Sequence, residues 1–170
     1  MRMKSHYLLV FASLCGIFHN GNSQENVAFG VRATQSTTWN FRTGAMNAID
    51  GNFDSNIRHS SCSSTRRQAN PWWRVDLEKH YRIFVVLITN RNRRACRLNG
   101  AEIRIGDSLE NNGNSNTLCA KITSIRAGQT ASFFCKPLGV HGRYVNIVLP
   151  TRRGILTLCE VEVFGAHDPH

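Results

Sequence analysis

The segment "NPWWRVDLEKHYRIFVVLITN", residues 70–90, decides the fold class. It contains two runs rich in β-branched and aromatic residues, "WWRVDL" (72–77) and "RIFVVLITN" (82–90). Both runs have the length of a strand, and neither belongs to a long stretch with helical periodicity. We therefore predict two β-strands here, whose apolar faces need further strands to cover them.

Similar runs recur from residue 27 to residue 165 and are separated by Gly, Asn, Ser and Pro. The segment "GAMNAIDG" (44–51) has room for one helical turn. Many short strands at this spacing, without an internal repeat or a linker, predict a single all-β domain built as a sandwich or a barrel. The other strand-like runs are 27–36, 101–106, 131–136, 143–150 and 155–165.

The N-terminal segment has the pattern of a secretory signal peptide. Arg2 and Lys4 form a basic start, residues 7–18 are mostly apolar, and Gly21 and Ser23 are small residues suited to cleavage. We predict a signal peptide over residues 1–23, a domain over 24–166 and a short tail over 167–170. A buried helix is the alternative. The prediction implies a secreted, extracellular protein, and no later segment has the length and apolarity of a transmembrane helix.

Five cysteines remain after the predicted cleavage, and in a secreted chain most of them should be paired. Five is an odd number, so one is left over, and spacing alone does not say which. Alternation in "LCEVEVFG" (158–165) places Cys159 on the same strand face as Val161 and Val163, which favours a structural disulfide for Cys159. The five are Cys62, Cys96, Cys119, Cys135 and Cys159.

The 170-residue chain has a formal net charge of +10, and 17 of its 21 basic residues are arginine. The guanidinium group is a planar fork of donors that suits carboxylates, sulfates and sugar hydroxyls. A basic secreted protein is expected to meet anionic glycans or cell surfaces, and the secretory route argues against nucleic acid. No catalytic or zinc-binding motif stands in the sequence, so we predict a protein without enzymatic activity.

The segment "NAIDGNFDSN" (47–56) concentrates Asn and Asp side chains around Gly51. Oxygen ligands at such short spacing suit a hard cation such as Ca²⁺, although the loop lacks the closing Glu of an EF-hand. An Asx-rich turn without a metal is the alternative interpretation.

Several of these segments together resemble the F-type lectin, or fucolectin, family over residues 25–165. The family resemblance implies a jelly-roll β-sandwich of the discoidin-like, galactose-binding-like kind. It further implies binding of terminal L-fucose, a structural Ca²⁺, a role in innate immune or cell-surface recognition, and trimers in some members. It also assigns Trp72 and Trp73 to the core. The matching segments are "ENVAFGVRATQSTTW" (25–39), "NAIDGN" (47–52), "NPWWRVDL" (70–77), "ITNR" (88–91), "NGAEIRIGDS" (99–108), "GRYVNIVLP" (142–150) and "LCEVEVFG" (158–165).

The same resemblance implies a set of metal ligands and a disulfide framework. The disulfides would be Cys62–Cys159, which ties the calcium loop to the last strand, and Cys119–Cys135. Cys96 would then be the unpaired cysteine. The Ca²⁺ ligands implied are Asn47, Asp50, Asn52, Ser61, the carbonyl of Cys159, and Glu160.

The sugar site departs from the family pattern. In the family, a loop reading R-G-D-C-C-G-E-R carries two sugar-binding arginines and a disulfide between adjacent cysteines, and an earlier loop supplies a histidine for the axial hydroxyl. Here the loop reads "RNRRACRLNG" (91–100), in which Arg91 and Arg97 match the two arginines and Cys96 stands alone. Ser64 occupies the histidine position. The resemblance therefore gives Arg91, Arg97, Ser64 and Cys96 as the carbohydrate-binding residues.

These replacements leave several ligands open. A hydrogen bond of this kind contributes about 0.5–1.5 kcal/mol, so losing the histidine and the disulfide weakens a neutral-sugar site. The same loops gain Arg66, Arg67, Arg93 and Arg94. We predict fucose or a fucose-like sugar as the ligand. A sulfated, sialylated or uronate-bearing glycan is the alternative, and a decayed site with solvated arginines is the third possibility. The rival from another class is a basic effector that binds polyanions or membrane surfaces.

Overall fold

The computed structural model describes residues 25–150 and 153–168, so the predicted signal peptide and the end of the predicted tail lie outside the described residues. Within the described ranges, no helix is long and apolar enough to cross a membrane. The strands of these ranges are β1 (Arg32–Gln35), β2 (Ser63–Ser64), β3 (Gln68–Ala69), β4 (Trp72–Thr89), β5 (Glu102–Gly106), β6 (Thr117–Lys121), β7 (Thr130–Phe134), β8 (Val140–Val148), β9 (Arg153–Gly154), β10 (Thr157–Leu158) and β11 (Glu160–His167).

The segment predicted to form two strands is one strand of 18 residues, β4. The prediction of two strands was wrong in continuity, but the strand does change partners where the gap was expected. The pairing with β8 shifts register between Asp76 and Tyr81, and Glu78 has a left-handed φ of 65°. The first part of β4 pairs with β1 and β8, and the last part pairs with β7 and β11. One strand thereby contributes to both layers of the fold.

The remaining pairings complete an antiparallel β-sandwich. The main sheet runs in the order β1-β4-β8-β5-β6, and two short pairs, β2 with β10 and β3 with β9, lie outside it. The predicted all-β jelly-roll sandwich is confirmed. The predicted helical turn in residues 44–51 is a 3₁₀ helix over Ala45–Ala48. β11 continues through His167, one residue beyond the predicted end of the domain.

Alternating strand residues fill the core between the layers. Ile103 and Ile105 in β5 are fully buried, whereas Glu102 and Arg104 on the other face form an ion pair at 2.7 Å. Trp73 is also fully buried, and its Nε1 donates to the carbonyl of Ala45 at 2.9 Å. The assignment of Trp73 to the core is confirmed.

Trp72, in contrast, lies half-buried on the opposite face of β4, with the guanidinium of Arg74 5.2 Å from its ring. Successive residues of a strand point to opposite faces, so two adjacent tryptophans cannot both enter the core. The assignment of Trp72 to the core was therefore wrong.

Candidate functional site

A cavity of about 750 Å³ opens beside the loop that follows β4. Its wall comes from four parts of the chain that are distant in sequence, which is typical of sites formed by loops at one end of a β-sandwich. The lining residues are Trp39, Asn40, Arg42, Thr43, Asn56, Ile57, Arg58, Ser64, Arg91, Asn92, Arg93, Arg94, Arg97 and Ile155.

Three of the four residues implied for sugar binding line this cavity. Arg91 and Arg97 come from the loop after β4, and Ser64 comes from β2. Cys96 is exposed and is not among the lining residues. The Ser64 side chain is 1% exposed, and its Oγ shares a hydrogen bond with the Thr157 hydroxyl at 3.1 Å. A short hydroxyl already bonded within the sandwich has little reach toward a ligand.

The loop that carries the arginines is attached to the sandwich by its backbone. The buried Asn90 donates through Nδ2 to the carbonyls of Ala95 at 3.1 Å and Ile125 at 2.9 Å. The carbonyl of Arg91 accepts from the backbone N–H of Gly128 at 3.1 Å. These hydrogen bonds satisfy the buried amide and join the loop to neighbouring segments of the chain. Asn90 is thus a positioning residue that sequence reasoning missed, and its place at the end of a strand was the available signal.

The cavity has a strongly positive lining. Six arginines line it, and among its described lining residues none is Asp or Glu. Burial lowers the pKa of Arg91, and the charges of Arg97, Arg94 and Arg93 lower it further. Burial and the charge of Arg94 lower the pKa of Arg97. Like charges held together in a partly desolvated site favour an anion or a strong acceptor there.

Two further features of the wall were not predicted. Arg94 has left-handed backbone angles, φ 55° and ψ 42°. For a residue with a Cβ atom this conformation costs about 1–2 kcal/mol. Trp39 lines the cavity with 56% of its surface exposed. A tryptophan within the polar segment 36–40, outside the main strand pattern, was the signal that could have identified it.

The residues implied for Ca²⁺ binding converge at a second place. The N–H of Gly51 donates to Glu160 Oε1 at 3.2 Å, across 109 residues of sequence. Asn47 Nδ2 donates to the carbonyl of Ser60 at 2.7 Å, beside Ser61. The disulfide of Cys159 holds the start of β11 next to the same loop.

Glu160 is the unusual group of this second site. It is fully buried, and its Oε2 has no hydrogen-bond partner in the described structure. Burial raises the pKa of Glu160 to about 7, and the neighbouring charges of Asp50 and Glu162 contribute to this rise. A buried carboxylate beside a second carboxylate is stable only when a cation or a proton neutralises it. The residues present therefore fit a hard cation with oxygen ligands.

The loop of this site also forms the Asx turns that were the alternative interpretation. Side-chain oxygens of Asp50, Asn52 and Asp54 each accept from the backbone N–H two residues later, at 2.9, 3.1 and 2.8 Å. In the described part of the chain, no three His, Cys, Asp or Glu residues cluster as metal ligands. An ion at this site would therefore depend on neutral oxygens beside two carboxylates, as Ca²⁺ sites commonly do.

The described structure has two disulfides, Cys62–Cys159 and Cys119–Cys135, and Cys96 is free. These are the two pairs that the family resemblance implies. The first pair is fully buried.

The fold and the loop-end cavity define a galactose-binding-like β-sandwich. Residues 47–147 match the family described as "NedA-like, galactose-binding domain". The chain is 48% identical to "Fucolectin" of Anguilla anguilla, over 86% of this chain and 95% of that protein. The chain belongs to the fucolectin, or F-type lectin, family. Its relatives are lectins, which supports the prediction that it is not an enzyme.

Solved structures agree with this assignment. A fucolectin from the serum of Morone saxatilis, striped bass, is 52% identical and superposes with a TM-score of 0.82 over 86% of this chain. This chain spans about half of that protein, 49% of its length. A Streptococcus pneumoniae fucose binding module is 30% identical, with a TM-score of 0.68 over 87% of this chain and 99% of the module.

Proposed function

We propose that this chain is a lectin that binds terminal fucose, or a sugar with the same arrangement of hydroxyls, in the cavity beside the β4 loop. The observation that carries the proposal is that Arg91, Arg97 and Ser64 line one cavity. The names of its relatives, fucolectins and a fucose binding module, support the same ligand. The proposed activity is binding, without catalysis.

The chemistry of recognition follows from the groups that line the cavity. Arg91 and Arg97 would donate hydrogen bonds to the ring and hydroxyl oxygens of the sugar, because each guanidinium presents several donors in one plane. Trp39, half-exposed at the cavity, offers an apolar ring to the sugar's C–H edge, where the family uses a cysteine pair. Ser64 would contribute contact more than a directed hydrogen bond, since its hydroxyl already pairs with Thr157.

We further propose that Ca²⁺ stabilises the sandwich through the second site. Asp50 and Glu160 would supply the charge, and Asn47, Asn52, Ser61 and the Cys159 carbonyl would supply neutral oxygens. When bound, the ion would neutralise the buried Glu160 carboxylate and connect the 47–52 loop to β11. Its role would be structural, since the proposed ligands are not among the residues that line the arginine cavity.

Secretion and a role in innate immune or cell-surface recognition are part of the same proposal. Support comes from the signal-peptide pattern of residues 1–23 and from two disulfides, which persist in oxidising compartments. The striped bass relative was found in serum. A trimer, which the family resemblance allows, is a prediction that light scattering on the mature protein would check.

Calorimetric titration with a fucosylated oligosaccharide tests the sugar proposal. Arg91→Ala and Arg97→Ala should each lower the affinity at least about tenfold, because charge-assisted hydrogen bonds contribute about 1.5–3 kcal/mol. Arg82→Ala is the matched control, since Arg82 is exposed and lies seven residues before the end of β4, roughly 20 Å along the strand. If both cavity variants bind fucosylated ligand as tightly as the control, the sugar is bound elsewhere.

A further inference from the structure

The cavity has more positive charge than a neutral sugar requires. Besides Arg91 and Arg97, four other arginines line it, and none of its described lining residues is acidic. A single fucose unit presents hydroxyl groups and a ring oxygen, which two guanidinium groups can contact. The remaining arginines are Arg42, Arg58, Arg93 and Arg94.

Two arginines outside the cavity are paired with carboxylates. Arg143 holds Asp76 through two contacts at 2.6 and 2.8 Å, and Arg104 holds Glu102 at 2.7 Å. In both pairs a carboxylate neutralises the guanidinium group. The cavity differs from these two pairs, because six arginines line it and no Asp or Glu is among its described lining residues.

The side chain of Arg91 indicates that the cavity accommodates a hydrogen-bond acceptor. Its Nε is a buried donor without a hydrogen-bond partner in the described structure. Arg93 and Arg94 line the same cavity as Arg91. A buried donor left without an acceptor costs about 1–3 kcal/mol, and more for charged groups, so the site is stabilised when a ligand supplies an acceptor.

We propose that the cavity binds fucosylated glycans that carry an acidic group next to the fucose, and that Arg93 and Arg94 hold this group. The shared chemistry is an oxyanion, either a sulfate ester or a carboxylate. Both present coplanar or clustered oxygens that match the guanidinium fork, and charge-assisted hydrogen bonds of this kind are about twice as strong as neutral ones. The inference rests on the proposed binding of fucose by Arg91 and Arg97 in the same cavity.

The test is calorimetric titration of the mature protein with four matched probes at two salt concentrations. The probes are a neutral fucosylated trisaccharide, the same trisaccharide with a sulfate ester on galactose, the same with sialic acid on galactose, and the sulfated sugar without fucose. The variant is Arg93→Gln/Arg94→Gln, and Arg82→Ala is the control that removes one exposed charge far from the cavity. The readout is the ratio of the neutral to the acidic dissociation constant.

The wild type and the Arg82 control should bind at least one acidic fucosylated probe about tenfold more tightly than the neutral one, because one charge-assisted contact is worth that factor. The ratio should fall to near one in the double variant, and it should fall in all proteins at high salt, since exposed charges are screened within about 8 Å at physiological ionic strength. The sulfated and sialylated probes identify which oxyanion is preferred.

Three results overturn the inference, or the proposal on which it rests, in distinguishable ways. If the wild type binds neutral and acidic fucosylated probes equally, the inference of an acidic ligand is wrong, and the fucose proposal still stands. If the sulfated sugar binds equally with and without fucose, the fucose proposal is wrong, and the cavity is a binding site for anions in general. Loss of the ratio in the Arg82 control as well would show that net charge, and not the cavity, selects acidic glycans.

Discussion

Replacing Glu160 with Gln should change the stability of the protein in opposite directions with and without Ca²⁺. In the structure, the Glu160 carboxylate is fully buried, accepts from Gly51 through Oε1, and has no partner at Oε2. The amide of Gln has nearly the same shape, so the substitution removes a negative charge and little else. Its effect therefore reports what neutralises this charge in the native protein.

The expected magnitudes follow from two opposing terms. Without Ca²⁺, the buried carboxylate beside Asp50 is unfavourable, so Glu160→Gln should raise the free energy of unfolding by about 1–2 kcal/mol, within the range for an unsatisfied buried group. With Ca²⁺ at one hundred times its dissociation constant, the wild type gains about 2.7 kcal/mol by mass action. The variant, lacking one of two charged ligands, should gain little of this. The wild type should then be more stable than the variant by about 1 kcal/mol.

Urea unfolding followed by tryptophan fluorescence, in excess chelator and in excess Ca²⁺, measures both differences. Glu110→Gln is the control that also removes one negative charge, because Glu110 begins the 3₁₀ helix Glu110–Gly113, is exposed and is not a proposed ligand. The control should shift the unfolding midpoint equally under both conditions. If Glu160→Gln destabilises the protein by the same amount with and without Ca²⁺, the carboxylate has a structural role that does not involve an ion, and the calcium proposal fails.

Three further outcomes are expected. Cys62→Ser opens a disulfide that spans 97 residues and should lower the free energy of unfolding by about 4–5 kcal/mol. Cys119→Ser opens a disulfide that spans 16 residues and should lower it by about 3 kcal/mol, and denaturant unfolding measures both. Arg94→Gly should raise the melting temperature, because glycine accepts φ 55° without strain, and should lower the affinity for acidic glycans. Arg143 lowers the pKa of Asp76, so this pair stabilises the fold above the ordinary carboxyl pKa. The contribution of the pair to stability is lost as pH falls through the lowered pKa of Asp76. In Asp76→Asn, the free energy of unfolding should therefore depend less on pH in the acid range.

The sequence alone determined the fold class and the faces of the strands. Side chains alternate between the two faces of a strand, so the pattern around Ile103 and Ile105 could be read locally. The register shift in β4 also had a local signal in "EKH" (78–80), although β4 is one strand through these residues. Short-range spacing is sufficient for such features because each depends on neighbours within a few residues.

The tertiary structure alone decided what surrounds the functional side chains. Arg42 and Arg58 lie far from Arg91 in sequence, and only the packing of the loops brings all three to one cavity. The burial of Glu160 beside Gly51 likewise depends on a contact across 109 residues. Local spacing carries no information about which loops meet at the end of a sandwich, because that depends on strand order and register. The positive charge of the cavity and the unpartnered Oε2 of Glu160 are therefore properties of the tertiary structure. The sequence pattern could indicate only some of the residues that form the two sites.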